Sequence, residues 1–292
     1  MKTLNDILAE VKKSNLPIEE KKIILIKAGL RKQDLAHLEF QGFFNEEKPL
    51  TFGVEIECFN CRRSDIIMNS EGTDFQFVWE GYNHNDRRGT YKFTTDCSIN
   101  GNDPRECVTP ILDNNNDGFK SLENCCRILN LSGAMVNRSC GLHVHVGLAD
   151  MKQKGIVNIY KNYQKLEKLI DSFMAPSRRG NNNHYAKTIA GYNYDSCENA
   201  SQVYTLMRSD RYHKVNPAAM YAHNTIEFRQ HQGTVDYQKI YMWVNFCCKL
   251  VNWSKENALV SEVRNINEVP FLNSEEKNFF AERISYFARR EA

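Results

Sequence analysis

The chain has 292 residues, about twice the commonest domain size, so it can form two domains or one large domain with an appendage. Hydrophobic residues make up 41% and charged residues 25% of it, which is typical of soluble globular proteins and excludes long disorder as the main state. The 38 Lys and Arg residues nearly balance 36 Asp and Glu residues, so general nucleic-acid binding is not expected and any phosphate binding must be local.

The sequence shows no signal that would direct it to a membrane or out of the cell. No stretch is long and apolar enough to cross a bilayer, and the first residues lack the apolar run and cleavage site of a secretory signal. We therefore expect a cytoplasmic protein without a membrane partner.

Ten cysteines are present, and their positions favour free thiols over a disulfide framework. Two adjacent pairs, Cys125-Cys126 and Cys247-Cys248, fall in patterns typical of buried helices, where thiols behave as small hydrophobes. Cys58-x-x-Cys61 is half of a zinc site, but no second Cys-x-x-Cys or His-x3-His follows elsewhere.

Residues 1–45 predict a small N-terminal helical extension. Apolar residues from Leu4 to Val11 recur on one face, and a second apolar set, from Ile23 to Leu38, follows the break at Pro17. The charged residues most simply form a solvated face, with docking to a protein or nucleic acid as the alternative. The remaining residues, 46–292, are predicted to form the main domain.

From Leu50 onward, short runs typical of β-strands replace the helical pattern. The predicted strands cover residues 50–58, 75–80, 91–95, 105–109, 141–148 and 225–231. The first four follow one another without long helices between them, which favours an antiparallel sheet over alternating βαβ units. Helices are predicted for residues 119–131, 156–173, 240–250 and 274–290. Apolar stripes on the second and third of these can pack on one sheet face, so the predicted class is α+β.

One predicted strand places two carboxylates side by side. Because side chains alternate along a strand, Glu55 and Glu57 share one face while Val54 and Ile56 point to the core. Two carboxylates that lie side by side raise each other's pKa unless a cation lies between them. The pair is therefore either exposed to solvent or a cation site.

Two later strands repeat this arrangement with other polar residues. His143 and His145 share one face, either as metal ligands or as a structural hydrogen-bonding pair. Glu227, Arg229 and His231 are predicted to share one face of the last strand. Alone, that set would be a same-face ion pair of little energetic weight.

Together these strands predict one polar cavity, because a solvated face would more often mix Lys, Thr, Ser and Gln. The strand Arg105–Val108 adds Glu106, although the pattern does not settle its facing, since Val108 lies on the same side. A ligand set rich in carboxylates, with few imidazoles, favours Mg²⁺ or Mn²⁺ over a closed zinc site. Hard divalent ions beside arginines indicate phosphoryl chemistry.

Five motifs occur in a distinctive order along the chain. They are Phe-Gly-Val-Glu-Ile-Glu, Asp96-Cys97-Ser98 with Glu106 and Pro110, Gly-Leu-His-Val-His-Val, Arg208 and Arg211 in Arg-Ser-Asp-Arg-Tyr, and Ile-Glu-Phe-Arg. In order and spacing they resemble the amidoligase family, which belongs to the carboxylate–amine ligase superfamily with the glutamine synthetase catalytic fold. The resemblance covers about residues 50 to 255 and leaves the N-terminal helices unassigned.

The resemblance implies a curved antiparallel sheet whose concave face holds ATP and Mg²⁺, with residues 46–292 as the catalytic domain. It implies a ligase that forms an amide or isopeptide bond in two steps. A substrate carboxylate attacks the γ-phosphate of ATP, and an amine then displaces phosphate from the acyl phosphate. The partners implied are small-molecule or peptide carboxylates and amines, and a homo-oligomer is compatible with the superfamily.

Position by position, the resemblance also implies roles for individual residues. The implied metal ligands are Glu55, Glu57, Glu106, His143 and Glu227. The implied phosphate and nucleotide contacts are Arg208, Arg211, Arg229 and His145, with Arg211, Arg229 and Asp96 as catalytic groups. Where the family often has Asp-Gly-Ser, this chain has Asp96-Cys97-Ser98. Residues 176–180 resemble a family loop and are either an exposed basic turn or a contact of Arg178 and Arg179 with a substrate carboxylate.

Other functional classes remain open at the level of sequence. A phosphotransferase would phosphorylate an acceptor and stop, whereas a non-catalytic nucleotide- and metal-binding protein would bind without turnover. A metal-dependent hydrolase is a third alternative.

Overall fold

The computed structural model describes residues 2–14, 16, 18–40, 50–81 and 89–291. The chain divides into two compact units, Met1–Lys48 and Pro49–Ala292. No helix in the described ranges is both long and apolar enough to span a membrane.

The first unit contains three short helices in its described part, α1 (Leu4–Lys13), α2 (Ile18–Lys27) and α3 (Lys32–Phe40). A capping box starts α1, since the side chains of Thr3 and Asp6 each accept a backbone hydrogen bond from the other residue. Val11, Leu25 and Leu35 form a small core of their own. Residues 41–45 of the predicted extension lie outside the described ranges.

The second unit is built on a sheet with eight strands among the described residues. The strands are β1 (Thr51–Cys58), β2 (Phe77–Trp79), β3 (Tyr91–Thr94), β4 (Arg105–Val108), β5 (Leu112–Asp113), β6 (Gly141–Gly147), β7 (Val215–Asn216) and β8 (Thr225–Gln232). Their order is β2-β3-β4-β1-β6-β8-β7, and β5 pairs with β1. Among the described strands, β2 and β3 pair in parallel and the other neighbours pair antiparallel. The mixed α+β class with a largely antiparallel sheet is thus confirmed.

The described part of the second unit also contains seven helices, several of which cover the apolar side of the sheet. They are α4 (Arg63–Ser70), α5 (Asn116–Leu131), α6 (Gln153–Phe173), α7 (Ala200–Leu206), α8 (Ala219–His223), α9 (Tyr237–Ser254) and α10 (Ser274–Glu291). Val54, Ile56 and Val144 are fully buried in this core, and Tyr163 of α6 stacks on Phe228 of β8. The opposite face of the central strands is consequently left to the polar side chains.

All ten cysteines lie within the described ranges and are free thiols. Nine are buried and only Cys97 is exposed. Cys58 and Cys61 are both in the core, and no group of three candidate ligands in the described part of the chain includes a cysteine. The lone zinc half-site therefore has no partner ligands there.

A β-bulge in the pairing of β6 with β8 changes the face of the sheet on which the side chains at the end of β8 lie. Val144 lies opposite Phe228, but Leu142 lies opposite His231, so β8 contains one extra residue. An extra residue reverses the alternation of side chains. His231 accordingly packs on Trp243 of α9, with 5.7 Å between ring centroids. The prediction that His231 shares the polar face with Arg229 is wrong for this reason.

Buried His231 should make stability depend on pH. Burial lowers its pKa to about 3, although the hydrogen bond from Nδ1 to the carbonyl oxygen of Gln232 opposes this effect. The unfolded chain, with a pKa of about 6.5, binds more protons between these two values. The stability that the neutral form of His231 contributes is therefore fully present above about pH 6.5 and is lost as the pH falls toward 3.

We expect His231 to lower the free energy of unfolding by about 2 kcal/mol between pH 7 and pH 5. His231→Phe should remove this part of the slope, whatever it does to stability at pH 7. Urea denaturation of both proteins at both pH values measures the difference. Equal slopes would show that His231 becomes protonated without unfolding cost.

We propose that residues 46–292 fold without the helical extension, because the two units have separate cores and all predicted site residues lie in the second unit. A chain starting at residue 46 should stay soluble and melt within a few degrees of the full chain. Thermal melting and gel filtration test this directly. Aggregation of the shortened chain would mean that the extension belongs to the main core.

Candidate active site

The registers of the four central strands bring the predicted polar residues into opposed pairs. Residues directly opposite on neighbouring strands have Cβ atoms about 5 Å apart. The pairs are Glu57 with Glu106, Glu55 with His143, and His145 with Glu227. Since Cys107 is fully buried in the core, Glu106 faces the polar side, which the sequence left undecided. A continuous polar row thus crosses β4, β1, β6 and β8.

His143 lies at the centre of this row and is almost fully buried. Its Nδ1 donates to Oε2 of Glu55 at 2.9 Å and lies 3.9 Å from Oε1 of Glu227. Its Nε2 lies 3.6 Å from Oε1 of Glu57. One imidazole on β6 therefore contacts three carboxylates from the two neighbouring strands, β1 and β8.

The neighbouring imidazole has a ring nitrogen without a hydrogen-bond partner. Nδ1 of His145 pairs with the hydroxyl of Thr225 at 2.9 Å. Its buried Nε2 lies 3.4 Å from Oε1 of Glu55 and 3.9 Å from Oε1 of Glu227, without an aligned hydrogen bond. Because a buried polar atom without a partner costs about 1–3 kcal/mol, this nitrogen is a candidate metal ligand.

The polar row provides three groups of potential metal ligands among the described residues, each with ligand atoms within 4.8 Å of one another. The groups are Glu55, Glu106 and His143; Glu55, His145 and Glu227; and Glu57, Asp96 and Glu106. Glu55 and Glu106 each belong to two groups. Carboxylate oxygens with at most one imidazole in each group form a donor set suited to hard divalent cations.

The three strands give their carboxylates different proton affinities. Burial alone would raise the pKa of Glu55, but contacts with His143 and His145 hold it well below its usual range. Burial is likewise outweighed at Glu227, whose pKa the Arg229 guanidinium and His145 lower. At Glu106, burial together with the neighbouring carboxylates raises the pKa well above the usual value. Carboxylates are thus crowded around Glu106, and a bound cation would neutralise their negative charge.

Arg229 lies beside the row and is held by two contacts. Its Nη1 donates to Oε1 of Glu227, and its Nε donates to the carbonyl oxygen of Tyr185 at 3.1 Å. The side chains of Glu227 and Arg229 thus share one face, as the alternation predicted. Burial would lower the pKa of Arg229, but the charges of Glu227 and Glu55 raise it.

Arg178 is a second buried guanidinium in the same cavity, only 3% exposed. Its Nη2 donates to the carbonyl oxygen of Cys140, whereas its buried Nε has no hydrogen-bond partner. The exposed-turn interpretation is therefore wrong for Arg178. Arg179 turns away instead and pairs with Glu291 of α10, with 2.7 Å between Nη1 and Oε1.

A cavity of about 600 Å³ lies over the polar row. Such a volume is within the range of ligand pockets, about 300–1,000 Å³. The predicted residues that line it are Glu55, Glu57, Asp96, Glu106, His143, His145, Arg211 and Arg229. Arg208 is not among the lining residues and is exposed on the turn after α7, with φ of +56°. Glu227 is not among the lining residues, but it contacts Arg229, which lines the cavity.

Gly141 was not predicted as part of the site, yet it is required by close packing. Its N–H donates to Oε2 of Glu57. A Cβ at this position would lie 2.9 Å from Nε2 of His143 and 3.3 Å from Nη1 of Arg178. Glycine therefore allows the backbone to approach both side chains, which a strand pattern alone does not reveal.

Helix α6 anchors the loop that carries Arg178 and Tyr185 to the cavity. Glu167 accepts hydrogen bonds from the backbone N–H of Ile189 at 3.0 Å and from the hydroxyl of Thr188. Glu167 also pairs with the fully buried Lys214 at 2.7 Å. The apolar stripe from which this helix was predicted gives no sign of the anchor, because Glu167 acts through polar contacts with residues distant in sequence.

The chain matches the profile of a family described as "Putative amidoligase enzyme" over residues 48–251 and belongs to that family. Membership supports a ligase-type function that forms amide bonds. No curated protein matches the chain significantly.

A solved structure with some similarity is that of a bifunctional glutathione synthetase from Pasteurella multocida. It shares 14% identity at a TM-score of 0.36, over 87% of this chain and 47% of that one. The chain therefore spans about half the length of that protein.

Proposed function

We propose that this protein is an ATP- and Mg²⁺-dependent carboxylate–amine ligase with a glutamine synthetase-like catalytic domain. It would form an amide or isopeptide bond through an acyl-phosphate intermediate. The substrates would be a small-molecule or peptide carboxylate and an amine.

The observation that carries this proposal is the set of three overlapping ligand groups beside two buried arginines in one cavity. The donors fit Mg²⁺ or Mn²⁺, since oxygen atoms dominate each group. The buried Nε2 of His145, without a hydrogen-bond partner, faces Glu55 and Glu227 and fits a further metal contact. A bound cation would also relieve the crowding of negative charge around Glu106.

The residues divide into those that would hold metal and those that would hold phosphate. Metal ligands would be Glu55, Glu57, Glu106, His143 and Glu227. Arg229 and Arg211 would contact phosphate oxygens, because a guanidinium can bind two oxygens at once. Bound Mg²⁺ would neutralise charge on the transferred phosphoryl group, so the protein contributes mainly positioning and electrostatic stabilisation.

The remaining groups suit the two acceptor substrates. Arg178, with its unpartnered Nε, would bind the substrate carboxylate that attacks the γ-phosphate of ATP. This step forms the acyl phosphate and releases ADP. An amine then attacks the acyl carbon, and phosphate leaves. The proton of the amine passes to the carboxylate of Asp96. Asp96, which lines the cavity and is not among the proposed metal ligands, offers the negative charge that such an amine requires.

Mass spectrometry of reaction products tests the proposal, using ATP, Mg²⁺, pooled acids, pooled amines and cell extract. We expect an amide product that depends on the amine and appears with equal amounts of ADP and phosphate. A stable phosphorylated acceptor formed without amine would identify a phosphotransferase instead. Nucleotide binding without any ADP would identify a non-catalytic binding protein.

A further inference from the structure

Helix α7 ends in a turn whose left-handed position is usually glycine but is Arg208 in this chain. The N–H of Ser209 donates to the carbonyl oxygen of Tyr204 at 2.9 Å, and the N–H of Arg208 donates to that of Thr205 at 2.9 Å. These two hydrogen bonds define a Schellman motif. Arg208 accordingly has φ of +56°, and Ser209 follows with φ of +58°. Two consecutive residues with side chains thus adopt a backbone conformation that only glycine adopts without strain.

The same motif ends two other helices of this chain, and both use glycine. The left-handed residue is Gly29 after α2, with φ of +103°, and Gly133 after α5, with φ of +73°. Both turns make the same pair of backbone hydrogen bonds, with N···O distances between 2.9 and 3.1 Å. Because backbone strain of this kind persists where a side chain has a function, the comparison indicates a function for the side chain of Arg208.

The guanidinium of Arg208 is available to bind a ligand. The side chain is exposed and makes no ion pair or hydrogen bond with the described residues. The nearby carboxylate of Asp210 pairs instead with Lys187, at 2.9 Å. The positive charge of Arg208 is therefore not compensated within the described structure, and an anionic group would suit it.

Two tyrosines border the cavity on the side of this turn. Tyr185, which is 45% exposed, and Tyr212 both line the cavity, with 5.3 Å between their ring centroids. Arg211 also lines the cavity, and its guanidinium carbon lies 5.6 Å from the ring centroid of Tyr212. Three residues of chain span at most about 11 Å between the Cα atoms of Arg208 and Arg211. Tyrosine and arginine are enriched at surfaces that bind other chains, so this border suits a peptide.

We propose that Arg208 binds an acidic side chain of a peptide whose carboxylate reacts in the cavity. The inference rests on the proposed function, and it selects an acidic peptide as the carboxylate substrate. Three or four residues of extended peptide cover about 10–13 Å, so an acidic residue that far from the reacting carboxylate reaches Arg208. The residues between them cross Tyr185 and Tyr212.

Single-stranded nucleic acid is the other class of ligand that binds aromatic rings beside positive charges. The structure favours a peptide over it, because nucleic acid needs a basic groove along its backbone, whereas Asp210 neutralises Lys187 next to Arg208. The proposed reaction also consumes a carboxylate, which an acidic peptide supplies.

The test measures binding of two peptides that differ only in charge. Pentaglutamate and pentaglutamine with the same fluorescent label are titrated with the full chain, and anisotropy reports binding. Arg208→Gly removes the charge and the backbone strain, whereas Arg208→Gln removes only the charge. We expect the unaltered protein to prefer pentaglutamate, and both variants to bind it about tenfold more weakly. Their MgATP affinity, measured by calorimetry, should stay within about twofold, because Arg208 is not among the residues that line the cavity.

Thermal melting of the same samples gives a second readout that moves in the opposite direction. Arg208→Gly should raise the melting temperature by about 2–4 °C, because glycine adopts the left-handed conformation without strain. Arg208→Gln should leave it unchanged. Arg127→Gln is the matched control, since Arg127 is exposed on α5, and it should bind pentaglutamate like the unaltered protein.

Several results would overturn the proposal and leave the proposed function intact. They are equal binding of the two peptides by the unaltered protein, normal pentaglutamate binding in both Arg208 variants, and weakening in Arg208→Gly alone, which would assign the effect to the backbone. Loss of MgATP affinity in both variants would assign Arg208 to the nucleotide instead. Tighter binding of a single-stranded decathymidylate than of pentaglutamate would replace the peptide by nucleic acid. Failure of the unaltered protein to bind MgATP contradicts the proposed function itself.

Discussion

Replacement of Glu55 by glutamine is expected to reduce turnover by about 100-fold or more and to weaken Mg²⁺ binding. Glu55 belongs to two of the three ligand groups and contacts both imidazoles of the row. Glutamine keeps the shape of the side chain but removes one negative charge and one strong metal ligand. Turnover and the rise in melting temperature on addition of Mg²⁺ are measured on the same samples.

Glu123→Gln is the matched control, because Glu123 is an exposed carboxylate on α5. It should retain normal turnover and the same Mg²⁺-dependent rise in melting temperature. Normal turnover in Glu55→Gln would show that the centre of the polar row does not bind a metal needed for catalysis.

Substitutions of Glu227 and Arg229, which contact each other on β8, should distinguish the effect of side-chain charge from that of side-chain geometry. Arg229→Lys keeps the positive charge but loses the planar fork that can bind two phosphate oxygens. We expect ATP to bind with turnover reduced by about 100-fold. Glu227→Gln keeps its shape and loses charge, so Mg²⁺ should bind more weakly and turnover should also fall.

An exposed salt bridge would behave differently from this buried pair. If the contact between Glu227 and Arg229 were only an ion pair of that kind, both variants should be nearly silent and cost at most about 1 kcal/mol of stability. Arg127→Lys, an exposed substitution on α5, is the control for the arginine. Normal turnover in both β8 variants would remove this strand from the active site.

The sheet and much of its polar face could be predicted because the relevant signal is local. Alternation over six or seven residues is enough to orient Val54 against Glu55 and Leu142 against His143, and the structure follows both patterns. Helices α5, α6 and α9 were predictable from their apolar periodicity. Strands β5 and β7, with two residues each, are too short to give a periodic signal.

Other parts of the site depend on contacts between distant residues. The bulge that turns His231 away from Arg229 is a property of the pairing of β6 with β8. In the sequence, Arg178 has the pattern of an exposed basic turn. Its burial follows from contacts of Glu167 and neighbouring polar groups of α6, which hold the loop against the cavity. The need for glycine at position 141 likewise arises only when His143 and Arg178 are packed around it.

Titration of ATP into the full chain with different cations tests the central claim, that the polar row is a site for hard divalent ions and nucleotide. We expect tight binding with Mg²⁺ or Mn²⁺ and little binding with Zn²⁺ or excess chelator, because the ligand groups consist mainly of carboxylate oxygens. Calorimetry measures all four conditions directly. Equal affinity for ATP in excess chelator and in Mg²⁺ would contradict the metal site.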